Sequence, residues 1–70
     1  MNMKRKIKVT IEDRADGGIN VSSDDVPGLI LSGRNRTLVI ADIGPAIRAI
    51  LEHKGEDAND LQIDAVFVSG

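Results

Sequence analysis

Residues 6–12 read Lys-Ile-Lys-Val-Thr-Ile-Glu, an unbroken alternation of polar and apolar side chains. Successive side chains of an extended strand point to opposite faces, so Ile7, Val9 and Ile11 share one face, with Lys6, Lys8 and Thr10 on the other. Such a run demands a sheet with one buried face. The next residues, Asp13-Arg14-Ala15-Asp16-Gly17-Gly18, place Asp-Gly between this run and a second alternating one, Ile19-Asn20-Val21-Ser22. Asp-Gly suits the positive φ angles of a tight hairpin turn, which predicts a β-hairpin.

Ser23 to Gly28 forms the next corner. Asp24 and Asp25 suit Asx-type turns, and Pro27 presets the backbone so that Gly28 can turn. Leu29-Ile30-Leu31 then reads as a short third strand, ended by the polar connection Gly33-Arg34-Asn35-Arg36. Residues 37–54 carry a helical pattern, with Ile40, Ile43, Ile47, Ile50 and Leu51 at three- and four-residue steps. Gly44-Pro45 interrupts it, because proline removes a helical hydrogen bond and restricts the residue before it. Either the helix kinks there, or a turn over 37–43 precedes a helix capped by Asp42 with Pro45 in its first turn. A single element with an irregular start is favoured. Lys54-Gly55 fits a C-terminal stop, Glu56 to Asp60 an acidic loop, and Leu61 to Val68 a fourth strand. The predicted fold is α+β, a two-layer β-β-β-α-β domain over 1–70: an antiparallel meander, one helix and a closing strand.

Composition narrows the function classes. With no cysteine among 70 residues, disulfides, thiolate metal sites and cysteine nucleophiles are excluded, and a reducing, cytoplasmic location is expected. No apolar run approaches the roughly 20 residues of a membrane span. The basic start, Met1 to Lys6, leads into alternation rather than an apolar stretch, so it does not read as a secretory signal. Phe67 is the sole aromatic, which removes the stacking platforms of single-strand nucleic-acid binding. A net charge of -2 gives no global basic footprint.

No catalytic constellation emerges. Asp24 and Asp25 are adjacent, and neighbouring strand residues diverge, so the pair does not converge on one ion without a turn between them. His53 has no evident nucleophile or orienting partner, and its place in the last helical turn suits a cation at the helix end. The serines show no nucleophile elbow and the glycines no phosphate loop. No enzyme activity, metal or cofactor is expected. Lys4, Arg5, Lys6 and Lys8 cluster at the start, with Arg34 and Arg36 before the helix. They form either a phosphate-tracking stripe, the basis of an alternative nucleic-acid-binding role, or a charged guard on the sheet, and the acidic balance favours the guard. Ile30, Val66 and Val68 fall on the polar face or at an edge, which points to a second copy covering part of the sheet.

The Asp16-Gly17-Gly18 hairpin, the corner Ser23-Asp24-Asp25-Val26-Pro27-Gly28-Leu29 and a helix containing Ala46-Ile47 and Leu51 resemble the HicB-like antitoxin family, particularly a short stand-alone branch of unassigned function. The resemblance spans residues 5–55. It implies a truncated ribonuclease-H-like fold with strand order 3-2-1-4, self-association, and neutralisation of a small RNA-cleaving toxin, HicA; in a variant of this reading the fold inhibits another host or defence protein. Relatives often add an operator-binding segment, which is not expected here because the chain stops at Gly70. On this resemblance Asp24, Asp25, Val26, Pro27 and Gly28 are the expected partner contacts. The acidic corner and loop (Asp24, Asp25, Glu56, Asp57 and Asp60) would steer a basic partner.

Overall fold

The computed structural model describes residues 5–69. Within them lie β1 (Arg5–Asp13), β2 (Ile19–Ser22), β3 (Ile30–Gly33), α1 (Arg36–His53) and β4 (Leu61–Val68). This is the expected α+β succession. The strands form one mixed sheet in the order β3-β2-β1-β4. The β1–β2 and β2–β3 pairs are antiparallel, and β1 pairs with β4 in parallel from Arg5↔Leu61 to Glu12↔Val68.

The hairpin closes differently from a two-residue Asp-Gly turn. Arg14 N–H donates to the Gly18 carbonyl at 2.9 Å and Gly17 N–H to the Arg14 carbonyl at 3.1 Å. That is a three-residue loop with a bulge at Gly17. A side chain at Gly18 would place its Cβ 2.3 Å from the Gly33 carbonyl oxygen, so here the loop packs backbone against backbone.

The corner is an arch. Leu29 N–H donates to the Val26 carbonyl at 3.1 Å, and Gly28 has a φ of +96°. Pro27 and Gly28 are thus the central pair of a type II turn, a geometry that needs a residue tolerant of positive φ at its third position. The flanking Val26 and Leu29 are both buried. Leu29 therefore belongs to the arch rather than to a strand, and β3 begins at Ile30.

The helix runs unbroken through Gly44-Pro45. Asn35, not Asp42, caps it, its side-chain oxygen accepting from Leu38 N–H at 3.2 Å. Pro45 lies on the exposed side of the helix. The buried stripe is Val39, Ile43, Ile47 and Leu51. Ile40, expected inside, is 41% exposed, and Val39 takes its place one position earlier. Glu56 N–H donates to the Leu51 carbonyl at 2.8 Å and Gly55 N–H to the Glu52 carbonyl at 3.0 Å, closing the expected C-terminal stop.

Ion pairs mark both ends of the helix. Arg36 reaches Asp13 at the end of β1, and Arg5 reaches Glu56 at 2.7 Å beyond the helix terminus. α1 therefore runs antiparallel to β1, and it lies over β2 and β3. The core gathers Ile7, Val9 and Ile11 with Ile19, Val21, Val26, Leu29, the helical stripe and Ala58. No helix among the described residues is long and apolar enough to cross a membrane.

Replacing Pro45 with alanine restores a helical N–H at an exposed position. Pro45→Ala is expected to raise stability by about 1–3 kcal/mol, read as a shift in the urea midpoint at constant slope.

Candidate functional site

The acidic corner is largely committed to the fold. β1 has nine residues and β2 four, and their pairing stops at Thr10↔Ser22. Beyond that point the peptide groups of Lys8 would face no strand. Side chains of the corner replace it: Ser23 Oγ donates to the Lys8 carbonyl at 2.6 Å, and Lys8 N–H donates to Asp25 Oδ2 at 2.8 Å. The Ser23 hydroxyl also accepts from Asp25 N–H at 3.1 Å and Val26 N–H at 3.3 Å. Asp25 is thus a structural acceptor. Val26 is 1% exposed, which corrects its expected role as a partner contact, because its side chain fills the core. Asp24, Asp25, Pro27 and Gly28 are exposed on the arch.

Ile30 is the most exposed large apolar residue, but the most such residues on one element lie on β4. Register with β1 puts Leu61, Ile63, Ala65 and Phe67 on the helix-side face and Gln62, Asp64, Val66 and Val68 on the opposite one. Since α1 covers β2 and β3, the helix-side face of β4 is left open past Leu61. Phe67 is 62% exposed, with Ile63 on the same face roughly 13 Å along the strand and Val66 and Val68 open on the other face. The sequence pattern does not mark Ile63 and Phe67 as an open surface, because alternation reports which residues share a face and not whether that face is covered.

Ile30, Val66 and Val68 do share the outer face, but not one patch. The row across the sheet runs Ile30, Ser22, Thr10, Val66, so Ile30 is three strand spacings, roughly 14 Å, from Val66 with polar side chains between. Ile30 is isolated at the β3 edge.

The basic residues are likewise dispersed. Lys6 and Lys8 point to the outer face in the first half of β1, whereas Arg34 and Arg36 follow β3 at the hairpin end, roughly 16 Å along the strand from Lys8 and two strand spacings across. Arg5 lies on the helix side against Glu56, Arg36 binds Asp13, and Arg34 approaches Asp16 at 3.6 Å. Lys4 falls outside the described residues. These cations do not line one groove.

Among the described residues no three of His, Asp and Glu gather as a metal site. A shallow depression on the solvent side of α1 is lined by Gly44, Pro45, Arg48, Ala49 and Glu52, with Arg48 and Glu52 its sole ionisable groups. Asp16 closes the hairpin loop through its carboxylate. The Gly18 N–H hydrogen bond at 3.0 Å, aided by Arg14 and Arg34, holds its carboxyl below the ordinary aspartate value. That is a turn function.

Two outcomes follow for stability. Asp25→Ala is expected to cost about 1 kcal/mol by leaving Lys8 N–H to water, whereas Asp24→Ala should stay within about 0.5 kcal/mol; paired urea titrations compare them. Asp16 is more acidic when folded, so its stabilisation is complete above about pH 4 and drains away as pH falls through its folded value. Asp16→Asn should accordingly flatten the acid limb of a stability–pH curve while leaving the slope above pH 5 unchanged.

Set against family models, curated proteins and solved structures, the chain matches none of them.

Proposed function

We propose that the chain is a non-enzymatic protein-binding module that acts in the cytoplasm like a HicB antitoxin, occluding a protein partner such as a small RNA-cleaving toxin. The observation that carries this reading is the open apolar surface of β4, which serves its self-association. Exposed aliphatic and aromatic side chains along one edge strand of so small a domain mark an interaction surface. The order β3-β2-β1-β4 agrees with the one the HicB resemblance implies, which supports the same reading. Self-association belongs to it.

The partner's own contact is assigned to the exposed arch residues Asp24, Pro27 and Gly28. They flank the first half of β1, where the Asp60 carbonyl accepts from Arg5 N–H at 3.0 Å and brings the acidic loop alongside. Carboxylates there would attract a cationic, RNA-binding protein and speed its encounter. Val26 contributes by holding the arch in place, and Asp25 by tying it to Lys8.

The test is co-expression with the product of the neighbouring gene, followed by co-purification and an RNA-cleavage assay. The expected result is a stable complex in which cleavage is suppressed. Asp24→Lys should weaken that complex by about tenfold at low salt and by less at high salt. A neighbouring RNA-cleaving protein that stays unbound and fully active at equimolar concentration would overturn the reading.

A further inference from the structure

The β4 strand is an edge without the usual protection. Exposed edges of monomeric sheets are normally short, or broken by a bulge, a proline or an outward lysine. β3, the other edge, is four residues long. β4 has eight residues, contains neither lysine nor proline, and keeps unbroken register with β1 throughout.

Its free hydrogen-bonding groups can be identified from the parallel ladder. Arg5 N–H donates to the Asp60 carbonyl while Arg5 sits opposite Leu61. In a parallel pair this directs the peptide groups of Gln62, Asp64, Val66 and Val68 towards β1. Those of Ile63, Ala65 and Phe67 face outward, and the same three residues carry the open helix-side face. Backbone and side chains therefore offer a template along one line.

We infer that this edge pairs with β4 of a second copy, antiparallel, about a two-fold axis at Ala65. The inference deepens the self-association in the proposed function but stands on different observations from the partner contact. Symmetry and charge select the register. A two-fold axis normal to the sheet keeps equivalent faces together, so residues of the same parity oppose one another. Centring on Asp64 would set two aspartates face to face, which is destabilising. Centring on Val66 would leave Ile63 opposite Ser69. Centring on Ala65 puts Ile63 opposite Phe67 of the copy at both ends, the aromatic–β-branched pairing that antiparallel ladders favour. Asp64 then faces Val66 of the copy, with Lys8 of its own chain beside it.

The size of the contact sets its strength. A strand of eight residues is about 26 Å long, and a single edge pairing of that length falls below the roughly 1,200 Å² of a tight interface. The dimer is accordingly concentration-dependent, and it closes the edge so that no third copy adds.

Sedimentation of the full chain from micromolar to millimolar concentration tests this, with a reversible shift from monomer to dimer expected. Ala65→Pro removes an N–H that points away from β1, so it should raise the dissociation constant at least about tenfold while leaving the circular dichroism of the monomer unchanged. Phe67→Glu should do the same through the side-chain face, which keeps the question open to refutation if the proline variant fails to fold. Because the chain has no cysteine, Ala65→Cys supplies a single thiol at the axis, where opposed Cα atoms about 5.5 Å apart permit a disulfide. Mild oxidation should give a covalent dimer from Ala65→Cys and none from Asp42→Cys on the helix. A chain that stays monomeric at every concentration, assembles beyond a dimer, or forms a dimer indifferent to both edge variants would overturn the inference. None of those results bears on whether a partner binds through Asp24, so the two readings fail separately.

Discussion

The parallel pairing of β1 with β4 is the constraint from which the other features follow. Antiparallel neighbours can be joined by a short turn, but a parallel neighbour must be reached by a chain that travels back along the sheet. β3 ends beside the hairpin and β4 begins beside Arg5, so the connection has to span the length of β1. An 18-residue helix rises about 27 Å and a nine-residue strand covers about 30 Å, which matches the two. The ion pairs Arg36–Asp13 and Arg5–Glu56 sit where that match places the helix termini. Both pairs are substantially exposed and contribute little energy, but they report the alignment.

One helix cannot cover four strands. At an interaxial scale of about 10 Å, α1 spans two strand spacings and settles over β2 and β3, with β1 buried between it and the arch. The arch exists because β2 is short. Its type II turn drives Val26 and Leu29 into the space that a longer hairpin would have filled, while Ser23 and Asp25 satisfy the Lys8 peptide that β2 does not reach. The signature Asp-Val-Pro-Gly-Leu is thus a recipe for closing one end of the core. On the β3 side Leu31 and Gly33 are half-buried, and the larger deficit appears at β4.

The hairpin, the arch turn and the helix stop were legible because each rests on residues within four or five positions of one another. Helix phase was less so: Val39 and Ile40 are both apolar, and only the tilt of α1 on the sheet decides which goes inside. The N-cap at Asn35 was masked by Pro45, whose ring lies on the exposed side and interrupts nothing that packs. The contact between Lys8 and Asp25 spans 17 residues and depends on where β2 ends, which no local pattern encodes. Among the expected partner contacts, Asp24, Asp25, Pro27 and Gly28 lie on the surface and Val26 does not, because alternation cannot be read through a turn.

The same topology has a kinetic consequence. The β1–β2–β3 meander and α1 are assembled from neighbours in sequence, whereas Arg5 meets Leu61 across nearly the whole chain. Closing so long a loop carries the largest entropic cost in the molecule and is rewarded only by the ladder itself, since α1 adds little cover there. β4 is therefore the last element to join a growing nucleus and the first to detach. The native state should open from this strand inward, and anything that caps its outer edge acts as a latch on the fold.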